Sequence, residues 1–285
     1  MDSRLDPDAF RSKQLELWEE AAAGWGKRAE NVRDHSMPVS IAMIRQLGLQ
    51  PGQRVLELAA GPGDTGFLAS ELINPAGTLV SSDASEAMLD VARARAGQLE
   101  IKNVEFVRLE LEWIDLQTAS VDAILCRWGL MLLIDPEAAA REMRRVLRPG
   151  GRVAVAVWEQ PAANPWAMVA SKAMSELGHV APPDPDGPGM FALATPGALE
   201  QVLEAGGFVF VHVETVDLER RYPDIRSYLE ETLDLSHMLA EPFRRLDPAG
   251  QEAVVRAMQE RAAPFTAEDG SITFPGRSLV AGARA

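Results

Sequence analysis

Between positions 55 and 66 the chain reads Val55-Leu56-Glu57-Leu58-Ala59-Ala60-Gly61-Pro62-Gly63-Asp64-Thr65-Gly66. Few folds accommodate that order. An apolar run runs straight into a glycine-rich turn, and the turn opens a helical pattern. In open α/β sheets such a strand–turn–helix unit places a ligand beyond the carboxyl end of the strand, near the switch in strand order. Gly61 and Gly63 remove side chains where the backbone turns sharply and a ligand must approach. The helix start behind them offers free N–H groups.

The same alternation continues downstream. Strands are expected at 53–58, 78–82, 104–108, 121–126 and 152–158. Helices are expected at 64–73, at 85–96 and from Asp135-Pro136 to Arg148-Pro149-Gly150-Gly151. Asp135 caps the last of these, and Pro136 fits a first turn whose N–H is unpaired anyway. This pattern implies an α/β fold with a doubly wound, mostly parallel Rossmann-like sheet. Two further strands, at 208–216 and 278–284, bring it to seven. Residues 8–30 read as one helix, and a second runs from Pro38 to about Leu47. Residues 159–190 carry Pro161, Pro165, Pro182, Pro183, Pro185 and Pro188 and read mostly as loop. Helical patterns return at 195–205 and 223–263. The expected organisation is a helical lid at 1–36, a sheet domain at 37–222 and 271–285, and a helical cap inserted at 223–270.

Composition excludes several functions. The formal net charge is -14, so a phosphate backbone is repelled and nucleic acid is not expected as a partner. Arg141, Arg144, Arg145 and Arg148 form the one dense basic cluster, at a helix end where cations complement the dipole. Cys126 is the single cysteine, which rules out an intramolecular disulfide and cysteine-rich zinc sites. No metal site is expected. The longest apolar stretch, Val121 to Ile134, is interrupted by Asp122 and Arg127 and is shorter than the roughly 20 residues a span needs. The acidic, polar start does not read as a secretory leader, so a cytoplasmic setting without stable membrane insertion is expected.

Gly61-x-Gly63-x-x-Gly66 alone also matches a dinucleotide fingerprint. Two carboxylates bear on the choice. Glu57, at the mouth of the strand, disfavours a pyrophosphate and suits a ligand with a positive end, such as an amino group beside a sulfonium. Asp83 ends the next strand, where it can accept from both ribose hydroxyls, and it fits either ligand.

Taken with Asp83-Ala84-Ser85-Glu86-Ala87-Met88-Leu89, Ser120-Val121-Asp122-Ala123-Ile124, Arg127-Trp128-Gly129-Leu130-Met131 and Glu142-Met143-Arg144-Arg145-Val146-Leu147-Arg148-Pro149-Gly150-Gly151, the loop resembles the class I S-adenosylmethionine-dependent methyltransferases. The likeness is greatest to the quinone-biosynthesis C-methyltransferases and small-molecule O-methyltransferases. It covers residues 50–160 firmly and 10–50 loosely. The resemblance implies S-adenosylmethionine as cofactor and S-adenosylhomocysteine as product. It implies that Glu57 faces the methionine amino group, and that Ala59, Gly61 and Gly63 line the methionine and ribose. Asp83 would hold the ribose, with Ala84 and Met88 flanking the adenine. Glu110 would accept from the adenine amino group, and the Leu111 N–H would reach the ring. Glu110 stands where relatives usually have Asp. Arg127 stands where relatives often have a small polar residue, and is carried over as a cofactor contact.

Methyl transfer to oxygen or carbon requires the acceptor to lose a proton. His35, ahead of the second helix, and His237, in the expected cap, are the candidate bases; an acidic acceptor needs none. The signatures of nucleic-acid amino-methylation and arginine methylation are missing after the fourth strand. Trp25, Trp128, Trp158, Trp166, Met190, Phe191, Met238 and Phe243 are candidate pocket walls. The expected acceptor is therefore a small molecule, aromatic or resembling a quinol or polyketide. A homodimer stays open as an assembly. The rival readings are a non-catalytic S-adenosylmethionine-binding protein and an NAD(P)-dependent oxidoreductase.

Overall fold

The computed structural model describes residues 6–182 and 187–285. The first five residues of the expected lid, and Pro183 and Pro185 of the expected loop, lie outside the described residues. Seven strands form one sheet in the order β3-β2-β1-β4-β5-β7-β6. The strands are β1 (Arg54–Leu58), β2 (Thr78–Asp83), β3 (Val104–Arg108), β4 (Val121–Arg127), β5 (Leu147–Trp158), β6 (Val209–Tyr222) and β7 (Ile272–Arg284). β1 to β5 pair in parallel, and β7 runs antiparallel to both β5 and β6. The strand order reverses between β1 and β4, so the ligand crevice expected of such sheets opens at their carboxyl ends. Val55, Leu56, Leu58, Ile124, Leu125, Val153 and Val155 are fully buried, as strands covered on both faces require.

Helices α3 (Asp64–Leu72), α4 (Glu86–Gln98) and α5 (Pro136–Val146) are the crossovers of the parallel half. Ser85 caps α4 through the Met88 N–H, and Asp135 caps α5 through the Ala138 N–H. The proline-rich stretch after β5 is more ordered than its composition suggests. It contains α6 (Pro165–Glu176), which starts on Pro165 and buries Trp166, Val169, Ala170, Ala173 and Met174 at helical spacing. α7 (Ala198–Ala205) leads into β6.

The N-terminal helices depart from expectation. α1 (Pro7–Lys27) stops at Arg28, and α2 (Ala29–Leu47) starts at once. His35 therefore lies inside α2 instead of preceding it, and the helix runs unbroken through 36–37, where the lid was expected to end. Pro38 reads as a helix start in sequence, yet it is interior. It forfeits a bond to the carbonyl of Asp34, and both residues lie on the exposed face, where water can serve that carbonyl. Val39, Ala42, Met43 and Leu47 bury the second half of α2 against the sheet.

β6 and β7 are longer than expected. Their register continues past Val216–Ser278, through Asp217–Arg277, to Tyr222–Ile272, whereas β5 ends at Trp158 opposite Ser278. The ribbon thus rises above the carboxyl edge of the sheet. Leu218, Arg220 and Tyr222 are buried in alternation with exposed Asp217, Glu219 and Arg221, so the strand period persists although a charge occupies an inward position. Between the two strands stand α8 (Ile225–Leu235), α9 (His237–Arg244) and α10 (Pro248–Ala262), which pack with α6 and α1. Among the described residues no helix is long and apolar enough to cross a membrane.

Candidate active site

After β1 the chain passes through three left-handed positions, Ala59 at φ 49°, Gly61 at 53° and Gly63 at 89°. Ala59 pays the steric penalty of that region, on the order of 1–3 kcal/mol. A Cβ on Gly61 would meet no atom within 4 Å, so the chain leaves the space beside it open. A Cβ on Gly66 would fall 2.1 Å from Oε2 of Glu57. The third glycine of the fingerprint therefore makes room for a carboxylate, which a pyrophosphate site has no use for.

Glu57 is buried beneath that turn. Its Oε1 accepts from the Gly66 N–H at 2.7 Å, and its Oε2 from the Ser81 hydroxyl at 3.1 Å. Burial pushes its carboxyl up to about 8, although these donors and Arg127 oppose the shift. Arg127 ends β4, and its guanidinium lies 4.8 Å from the Trp128 ring centre. Burial drives its pKa down, and the charges of Asp64 and Glu57 draw it back. Asp64, not singled out by the sequence reading, is the first residue of α3 and is buried, with Oδ1 bound to Arg95. Among the described residues, Nη1 of Arg127 and Oδ2 of Asp64 are both buried with no hydrogen-bond partner. A cation and two carboxylates thus stand together at the switch point with bonding capacity unspent.

Asp83 reaches back to the same loop. Its Oδ2 accepts from the Gly61 N–H at 2.9 Å, and its Oδ1 from the Ser85 N–H at 3.0 Å. Burial raises its pKa, and these amides restrain the rise. Each oxygen keeps a second lone-pair direction. Ala84 follows half-buried, and Met88 is buried one turn into α4. Leu111 is buried near Gly129, where an added Cβ would stand 3.5 Å from Leu111 Cδ2 and 2.6 Å from the Ala59 Cβ. The loop after β3 thereby closes against the loops after β1 and β4. Glu110 is exposed in a tight backbone bridge to Trp113, itself 76% exposed.

The other half of the carboxyl edge brings three of the candidate pocket walls together. Trp128, at φ 60°, stacks on Trp158 at 4.0 Å, and Trp158 meets Trp166 edge-on at 4.9 Å. The Arg220 guanidinium lies 4.0 Å from the centre of the Trp166 ring. Three indoles, with Arg127 at one end and Arg220 at the other, span the tops of β4, β5 and the ribbon. Arg220 donates to Glu231 Oε1 at 2.8 Å, where the Tyr222 hydroxyl also donates at 2.7 Å. Asn31 donates to Glu231 Oε2 at 3.1 Å, and His35 Nε2 stands 3.9 Å from Oε1. The two candidate bases therefore occupy different places. His35 belongs to this buried cluster. His237 sits at the seam of α1 and α9, where Nδ1 is 2.9 Å from Glu20.

α1 touches both halves. Glu19 accepts from the N–H groups of Glu86 and Ala87 at the start of α4, and Arg11 pairs with Glu112 beyond β3. Lys27 and Arg28 both pair with Asp234 of α8. Trp25 donates to the Leu235 carbonyl at that seam, and Met238 is 64% exposed.

Comparison with known proteins places this geometry in context. A family model described as a methyltransferase domain matches residues 49–206. A ubiquinone/menaquinone biosynthesis C-methyltransferase of Pseudomonas fluorescens is 37% identical over 119 residues, 41% of this chain and 46% of that one. The chain thus spans about half the length of the curated relatives it matches. Among solved structures, the YcgJ protein of Bacillus subtilis superposes with a TM-score of 0.59 at 19% identity, over 86% of this chain and 97% of that one. The [4+2]-cyclase SpnF superposes with a TM-score of 0.53 at 18% identity, over 86% and 79%. At those identities the likeness is one of fold.

Proposed function

The chain belongs to the methyltransferase-domain family, and from that premise we propose that it transfers a methyl group from S-adenosylmethionine to an oxygen or carbon of a small aromatic, quinol-like or polyketide-like acceptor. The observation that carries this reading is the charge set Glu57, Asp64 and Arg127 beside the open face of Gly61. An α-amino acid end fits it by sign and by bonding. An ammonium suits Glu57 and Asp64, and a carboxylate satisfies Nη1 of Arg127. The remaining lone pairs of Asp83 suit ribose hydroxyls, and Ala84, Met88, Glu110 and Leu111 border the side left for the adenine. A nicotinamide dinucleotide would instead set its pyrophosphate against two carboxylates.

When bound, the cofactor supplies a methyl group already activated on a sulfonium. The chain's own work is to align the acceptor, exclude water and take up a proton. α1 acts as the lid, because it grips α4, the loop after β3 and α8 together. α8 to α10 act as the cap. His35, in the buried cluster above the sheet edge, is the better placed base, since His237 is held by Glu20 at the outer seam.

Calorimetric titration tests the cofactor. S-adenosylhomocysteine should bind in the micromolar range, and NADH and NADPH should give no heat. Nicotinamide binding without S-adenosylhomocysteine binding would overturn the reading. Asp83→Ala should weaken S-adenosylhomocysteine by at least about 1.5 kcal/mol, roughly tenfold, as loss of bonds to a charged group implies. An unchanged affinity in the folded variant would remove Asp83 from the ribose.

A further inference from the structure

We infer that the amino edge of the sheet carries a second binding site, for a small aromatic anion, framed by Arg152, Arg284 and Phe210. It stands apart from the methyl-transfer reading. One row of the sheet runs through Val55, Ala123, Arg152, Arg284 and Val209, in β1, β4, β5, β7 and β6. Val55 is the second residue of β1, so this row marks the edge opposite the candidate active site. Along β5, Arg152 precedes Trp158 by six residues, roughly 20 Å at the rise of a strand.

The first ground is charge. Arg152 and Arg284 sit directly opposite each other in the antiparallel β5–β7 ladder. Like charges so placed repel, and an anion between them relieves the repulsion. The chain has 42 carboxylate side chains against 28 cationic ones, yet the pair is not neutralised. Among the described residues, Arg152 donates to the Leu47 carbonyl at 3.3 Å, Arg284 lies by the Phe210 ring, and neither has a carboxylate partner. Glu214, two residues beyond His212 along β6, is taken by Arg45 and Gln46.

The second ground is shape. Val209 pairs with Arg284 and His212 with Gly282, so β6 holds one extra residue between them and bulges. Such bulges re-aim a side chain. Phe210 takes φ 53° there, a left-handed conformation that strains a residue with a Cβ, and the side chain so turned is 79% exposed. The strain gains no burial; it brings the ring within 5.8 Å of the Arg284 guanidinium. Gly282 lets α2 come close, since a Cβ on it would fall 2.6 Å from Oε1 of Gln46. Gln46, Arg152, Phe210, His212, Gly282 and Arg284 line a cavity of about 390 Å³, a size suited to a small molecule. A carboxylate or phosphate would receive the two guanidiniums, and a planar ring would pack on Phe210. A cationic ligand would meet the arginine pair.

The test is calorimetric titration of the full chain with 2-naphthoate and 1-naphthyl phosphate. Saturable binding is expected, and the tighter of the two identifies the anionic group. Inorganic phosphate lacks the ring and 2-naphthylmethanol lacks the charge, so each should bind at least tenfold more weakly. Arg284→Gln should weaken both aromatic anions at least fivefold. Phe210→Ala should weaken them at least threefold and leave inorganic phosphate unchanged. Both side chains are exposed, so both variants should fold. The proposal is overturned if neither probe binds, or if both variants bind the probes like wild type. It is also overturned if S-adenosylhomocysteine displaces the probe, which would place the probe in the candidate active site.

Discussion

Arg95→Met should destabilise the fold by about 3–5 kcal/mol, the typical result of stripping a partner from a buried charge. Arg95 holds Asp64 at the start of α3, and the two side chains are 9% and 3% exposed. Its second contact, Glu30, is 64% exposed and screened by solvent, so it adds little. Without Arg95 the Asp64 carboxylate would be buried with only the α3 N-terminus and Arg127 to offset it. Burial already drives the Asp64 pKa up, against Arg95. A carboxyl raised in the folded state costs stability as pH rises through that pKa. The deficit of Arg95→Met should therefore shrink toward acid pH and grow toward neutral pH. Urea unfolding of wild type and variant at two pH values measures both. Asp64→Leu with Arg95→Met should recover most of the loss. A single-variant loss below about 1 kcal/mol would mean that solvent screens the pair as it does a surface bridge.

The parts of the fold legible in the sequence were those fixed by neighbours in the chain. The glycine loop, the Asp135 cap and the buried strand 121–126 each follow from local geometry, and together they imply the sheet. Glu57 and Asp83 were legible for the same reason, since a strand end followed by a tight turn leaves few directions for a side chain. Where tertiary packing overrides the local signal, the reading failed. Pro38 marks a helix start in isolation, but burial of residues on both sides of it carries α2 through, and His35 moves with it. Arg220 interrupts the apolar alternation of β6, and only Glu231 and the Trp166 ring explain a guanidinium on the inward face. The indole series joins residues from three separate elements, and no spacing within the chain announces it.

Arg127 shows how a departure from family expectation becomes intelligible in three dimensions. The sequence places it at the end of β4, where relatives often have a small polar residue. In the structure it stands by Glu57 and Asp64, with Trp128 against its guanidinium. Two buried carboxylates without a cation would repel each other and both take up protons. Arg127 keeps part of that negative charge in place, which in the proposed site leaves the loop receptive to a ligand's ammonium. Trp128 lies against the guanidinium while itself stacked on Trp158.

In the proposed site, the ionisation of Glu57 sets a pH dependence for cofactor binding. With its carboxyl raised from 4.5 to about 8, the ligand-free protein is mostly protonated there at neutral pH. An incoming ammonium requires the ionised form, so binding must expel that proton. Affinity for S-adenosylhomocysteine should climb by up to about tenfold per pH unit from pH ~6 to ~8 and level off above, since one unit corresponds to about 1.4 kcal/mol. The sign for folding is opposite. The folded state holds the Glu57 proton more tightly than the unfolded chain, so ligand-free stability falls as pH rises from 4.5 to about 8. Ligand-induced stabilisation should widen across the same window. Calorimetry at pH ~7 in buffers of different ionisation heat should report about one proton released per ligand bound. Glu57→Gln should abolish both the proton release and the slope. A flat affinity with no buffer-dependent heat would mean that Arg127 already holds Glu57 ionised before the ligand arrives.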